Sequence, residues 1–208
     1  IGLTFFASLD AFMTPSLFQI LQIPSMRPVY VREHSSKMYS SSAYFLSGWL
    51  SSLPMMVIYP FLTSSICFFF LGFTDTSVQN YFRWTSTLLM VTMQGGTFGF
   101  MLGCVMDKID MGIIVLSQTL MWFLLGSGMF LSLKGAKKFV KFLGLISPFR
   151  YSIERLLRTL LHNVWYTDML CNHYEYNYKE KVVPISLSFL LIFFILGWIV
   201  MGIRGLFV

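Results

Sequence analysis

The sequence predicts an all-α, polytopic helical membrane domain with five spans, a short coupling helix and an interfacial re-entrant helix. Two observations carry this expectation. Hydrophobic residues make up 56% of the chain and charged residues only 12%, whereas a soluble domain is about a quarter charged. Apolar runs of the ~20 residues needed to cross a hydrocarbon layer recur along the chain, separated by the segments that hold most of the charge.

The spans are expected at about 1–23, 43–72, 83–106, 111–133 and 184–206. The chain opens on Ile1 inside an apolar run with no basic leader, so no signal peptide is read there and an upstream part is expected. Asp10 is the sharpest residue of the first span, because a carboxylate at membrane depth costs about 3 kcal/mol on insertion scales. Two readings remain for it: the wall of a translocation path, or a packed carboxylate near a span end that is protonated or paired with a neighbouring helix. The second span is too long for the hydrocarbon, and Pro54 and Pro60 are expected to kink it. The third carries Gly95, Gly99 and Gly103 at four-residue spacing, a bare face for close helix approach within the chain or between chains. The connection Asp107 to Asp110 is so short that the third and fourth spans are expected to be antiparallel neighbours.

The segment 134–183 divides in two. "KGAKKFVKFLGLI" alternates Lys137, Lys138 and Lys141 with Phe139, Phe142 and Leu143, as a basic helix on a headgroup layer does. In "SPFRYSIERLLRTLLHNVWY", Ser147 is expected to cap and Pro148 to start a helix. Ile153, Leu156, Leu157, Leu160 and Leu161 form its apolar stripe, with Arg150, Glu154 and Arg158 on a polar face. Cys67 and Cys104 lie in apolar runs as small buried side chains. Cys171 sits in the polar loop, either unpaired or able to form an intermolecular disulfide with a second copy.

Several chemistries find no support. There is no Gly-x-x-x-x-Gly-Lys-Ser/Thr phosphate loop, and His34, His162 and His173 lack metal-ligand spacing. The net charge of +6 arises mostly between spans and suits lipid headgroups and partner surfaces, not nucleic acid. Three function classes remain open: an ATP-driven transporter part, a channel or scaffold without ATP coupling, and an intramembrane enzyme using His162 and Asp168.

The stretch "RPVYVREHSSKMYSSSAYFLSGWLSSLP", residues 27–54, resembles the segment after the second transmembrane helix of the G (White/pigment) subfamily of ABC transporters. "SPFRYSIERLL", residues 147–157 after "GSGMFL", is similar to that family's Ser-Pro-x-Arg-Tyr segment. The resemblance covers essentially the whole chain and implies the ABC type 2 transmembrane domain from its second to its sixth helix. It implies that the chain hydrolyses nothing itself, that an upstream ATP-binding domain of the same polypeptide uses ATP and Mg, and that a second transporter half completes a dimer. It also implies export of lipids, sterols or other amphipathic compounds at a membrane, the plasma membrane first.

By the same resemblance, residues 24–42 are cytoplasmic and couple to the ATP-binding domain through Arg27, Tyr30, Arg32, Glu33, His34, Lys37, Met38 and Tyr39. Asp10, Met13, Leu120, Met121 and Leu124 are implied to line the substrate cavity, and Met129 and Phe130 to form its outer gate. The 134–183 loop is implied to be extracellular although it holds nine of the fifteen Lys and Arg residues, against the positive-inside rule.

Overall fold

The computed structural model describes residues 2–70, 78–128, 138–160 and 182–205. Among them the chain is all helical, with α1 Gly2–Ser35, α2 Ser41–Phe70, α3 Val78–Val105, α4 Ile109–Gly126, α5 Lys138–Ile146, α6 Pro148–Leu160 and α7 Val182–Gly205. Four helices are long and apolar enough to cross a membrane: α2, α3, α4 and the Val183–Ile203 part of α7. The fifth expected span, 1–23, falls below that measure. Thr4, Ser8, Ser16 and Gln19 dilute α1, and all four are buried against protein, where polar side chains cost less than in lipid.

The boundary expected near residue 23 is not a break. α1 runs 34 residues through Pro15, Pro24 and Pro28, about 51 Å at 1.5 Å per residue. Each proline removes one backbone hydrogen bond, yet packing along α3 carries the helix past all three. The expected coupling segment, 24–42, is therefore the last three turns of α1, a tight turn, and the start of α2.

α3 is the hub. Of its most apolar window 72% is buried, against 17–22% for α2, α4 and α7, and it touches α1, α2, α4, α6 and α7. The three glycines explain how α1 comes so close. A Cβ on Gly95 would lie 2.3 Å from the Phe12 carbonyl oxygen, one on Gly99 2.4 Å from that of Ser16, and one on Gly103 2.9 Å from Ile23 Cβ. Of the two partners left open, the bare face has the one within the chain. Ser16 Oγ donates to the Gly95 carbonyl at 2.7 Å, a bond that only this backbone approach permits.

Around that seam lies an aromatic core. Phe12 meets Phe149 at 5.2 Å and Phe98 at 5.8 Å between ring centroids, and Phe98 meets Phe193 at 5.0 Å. These edge-on and tilted geometries suit the ring quadrupoles. α4 rests more on α1 and α5 than on α3, so the short connection does not make α3 and α4 principal neighbours. Gly112 lets α4 settle on Ile20 of α1, with a Cβ there falling 2.7 Å from Ile20 Cγ2.

α4 also ends earlier than the expected 133. Gly126 has no room for a side chain, a Cβ lying 2.7 Å from the Leu143 carbonyl oxygen, and Gly128 takes φ 84°, a left-handed value that glycine adopts freely. α5 then packs back on α4. α6 begins at Pro148 as expected, and Ser147 adds a tie between helices by donating to the Phe123 carbonyl at 2.6 Å.

The polar face predicted for α6 holds the Glu154–Arg158 pair but is largely sealed. Glu154 is 0% exposed and Arg150 6%, because α6 packs among α1, α3, α4 and α7 instead of lying with one face in water. Arg158 compensates the buried carboxylate, its Nε and Nη2 donating to Glu154 Oε1 at 3.2 and 3.1 Å. Arg155 reaches Ser86 Oγ of α3 at 3.2 Å. Burial, and then the Arg83 guanidinium, lower the Arg155 pKa.

Candidate functional site

The expected coupling residues gather where α1 turns into α2. α1 closes without glycine: Lys37 N–H bonds the His34 carbonyl at 2.9 Å and Met38 N–H bonds that of Glu33 at 3.3 Å, the paired bonds of a Schellman cap. Lys37 fills the left-handed position at φ 56°, where a side chain costs about 1 kcal/mol or more. Ser40 then starts α2, its Oγ accepting from Ala43 N–H at 3.3 Å, as an N-cap does.

Four rings lock this turn. Tyr30 packs on Tyr44 at 4.5 Å and on His34 at 5.3 Å, and Tyr39 stacks on Tyr44 at 5.9 Å. Tyr30 donates to Ser41 Oγ at 2.9 Å, and Tyr39 donates to Glu33 Oε2 at 2.7 Å. His34 Nδ1 lies 3.3 Å from the Tyr39 carbonyl oxygen. The Tyr39 phenol is pushed up to about 12, first by desolvation among its neighbours and then by the Glu33 carboxylate.

The eight residues thus divide by job. Tyr30, Glu33, His34 and Tyr39 build the turn, and Arg27 forms an ion pair with Asp107 in the α3–α4 connection. Arg32, Lys37 and Met38 project outward, Met38 being 72% exposed. Two cations and a thioether thus stand together on the exposed side of this turn.

The residues expected to line a cavity are also divided. Leu120 is buried in the aromatic core, and Met13 and Leu124 pack against it. Met121 is 60% exposed on α4. Asp10 is exposed on the α2 side of α1, accepting from Thr14 Oγ1 at 3.0 Å and from the Tyr59 hydroxyl of α2. Asp10 thus has a hydrogen-bond partner on the neighbouring helix while remaining exposed. Met129, Phe130 and Cys171 lie outside the described residues.

Sequence reasoning passed over Tyr59, Asp107 and the burial of Glu154. A tyrosine deep in an apolar run carries a usable signal, because its hydroxyl needs a partner away from water. The Arg27–Asp107 pair gave none, its members being 80 residues apart.

A family described as "ABC-2 type transporter" matches residues 1–161. "Protein white" of Ceratitis capitata is 30% identical over 130 residues, covering 62% of this chain and 19% of that protein. "Protein white" of Drosophila melanogaster is 28% identical over 151 residues, 70% of this chain and 22% of that protein. "ABC transporter G family member 22" of Arabidopsis thaliana is 28% identical over 156 residues, 75% of this chain and 20% of that protein. The chain therefore spans about a fifth of the length of these relatives. With residues 1–161 of 208 matched, the chain belongs to the ABC-2 type transporter family, as a multi-pass membrane domain homologous to the White and G-family transporters.

Proposed function

We propose that the chain is the membrane-spanning part of an ATP-driven G-type transporter that exports lipids, sterols or other amphipathic compounds by alternating access. The observation that carries this reading is the α1–α2 turn. One continuous helix leads from an outward-facing patch of Arg32, Lys37 and Met38 to a backbone seam against α3. A push on the turn is delivered along α1 as a rigid displacement, since packed helices shift as units.

The sequence has no phosphate-cradling glycine loop, and among the described residues no group of three His, Cys, Asp or Glu could hold a metal. In this proposal hydrolysis belongs to an ATP-binding domain of the same polypeptide, and a second transporter half completes the path. On this reading Asp10 and Met121 present the substrate walls, while Met13, Leu120 and Leu124 back them. Met129 and Phe130 close the path from outside, residues 134–183 are extracellular, and the plasma membrane is the site of action.

The test is the triple variant Arg32→Ala, Lys37→Ala, Met38→Ala in the full-length protein. Transport should fall while surface expression holds. Unchanged transport would reduce the turn to a linker.

A further inference from the structure

We propose that the cleft between α1 and α2 binds an amphipathic molecule through a hydrogen-bond-donating head, an ammonium or a hydroxyl. The cleft is open on one side and holds a cavity of about 60 Å³. Pro15, Phe18, Met55 and Met56 supply its apolar wall. Phe18 and Met55 are 44% and 53% exposed, so the cleft opens sideways.

The hydroxyls of the cleft spend their hydrogens elsewhere. Thr14 donates its hydroxyl hydrogen to Asp10, Tyr59 donates to the same carboxyl, and Ser52 donates to the Trp49 carbonyl at 2.7 Å. What these oxygens have left for the cleft is lone pairs. Gln19 is the anchor. It lines the cleft, is 1% exposed, and its Oε1 has no hydrogen-bond partner. An unmatched buried acceptor costs about 1–3 kcal/mol, and a donor arriving in the cleft removes that cost. The Asp10 carboxyl behind Thr14 and Tyr59 adds a reason to take a cation and to reject an anion.

The cleft differs from the α1 and α4 walls proposed above in its second wall, which is α2, and occupancy requires neither ATP nor a partner. Failure of the coupling reading therefore leaves this inference standing, and the reverse holds as well.

The experiment is photo-crosslinking of the full-length protein in phosphatidylcholine nanodiscs, without nucleotide. The probes are a diazirine-bearing long-chain amine and the alcohol and carboxylic acid of the same chain. Amine or alcohol should label the peptides containing Phe18 and Met55 about tenfold more than the acid does, the factor that ~1.4 kcal/mol of hydrogen bonding supplies. Gln19→Leu should reduce that labelling about tenfold by the same arithmetic. Met55→Trp, at a half-exposed position, should block the cleft without touching the fold, and Ile199→Trp on the outer face of α7 should change nothing. Equal labelling by the acid would overturn the proposal, as would labelling that survives both Gln19→Leu and Met55→Trp.

Discussion

The two faces of α1 follow opposite rules. Toward α3 the helix meets backbone through Gly95 and Gly99, with no side chain between, and Ser16 ties the two by donating to the Gly95 carbonyl. Toward α2 the contact is sparse, a cleft remains, and the tie runs through the side chains of Asp10, Thr14 and Tyr59. The first face is built for a fixed distance between helices. The second leaves room and concentrates polar groups that packing alone does not need. A helix with one immovable face and one open face can carry displacement on the first and ligand chemistry on the second.

The largest break in that comparison is Gly99→Val. Its Cβ would fall 2.4 Å from the Ser16 carbonyl oxygen, a backbone atom that cannot swing aside, so the cost should be about 3 kcal/mol. Thermal unfolding in detergent should show a large drop in Tm or no folded peak at all. Asp10→Asn, on the other face, should leave Tm unchanged or higher, because a carboxylate leaves the membrane. A fall in Tm as large as that of Gly99→Val would erase the distinction between the faces.

Lys37→Gly sharpens the comparison at the apex. Relief of the left-handed backbone should stabilise the turn by about 1 kcal/mol, while the loss of an outward charge should lower transport. Stability and activity moving apart in this way would show that the turn holds its lysine for contact, not for folding. Asp107→Ala should cost about 0.5 kcal/mol, the usual scale of an exposed ion pair, and the loss should shrink in high salt. Unfolding at two ionic strengths checks it.

The smallest effect concerns Tyr39. Its folded pKa is raised to about 12 from 10, so the stability it contributes is complete below about pH 10 and is lost as pH rises through 12. Ultraviolet titration should find one late phenolate that Tyr39→Phe removes. A Tyr39 that ionises near 10 would mean that the Glu33 contact does not hold the turn.

Much of the architecture was legible because lipid demands it. Spans α2, α3, α4 and α7 show as apolar runs, and the α3 seam shows as glycines at four-residue spacing. The end of α1 was not legible: Pro24 and Pro28 argue for a break, and the cap is built on Lys37 where sequence reasoning looks for glycine. The sealing of the polar side of α6 was missed for a related reason. Periodicity places Arg150, Glu154 and Arg158 on one face but says nothing of what that face meets.

The sequence by itself determined a membrane-embedded helical class, the close-packing face of α3 and the segment where charge leaves the membrane, since these follow from local composition and spacing. Only the tertiary structure decided which helix fills the glycine face, that Tyr59 answers Asp10, that Glu154 is sealed inside, and that Gln19 is left without a partner. The physical reason is range. Hydropathy and backbone preference act over a few neighbouring residues, whereas a hydrogen bond between residues 10 and 59, or a contact between 16 and 95, exists only once the helices have been laid side by side.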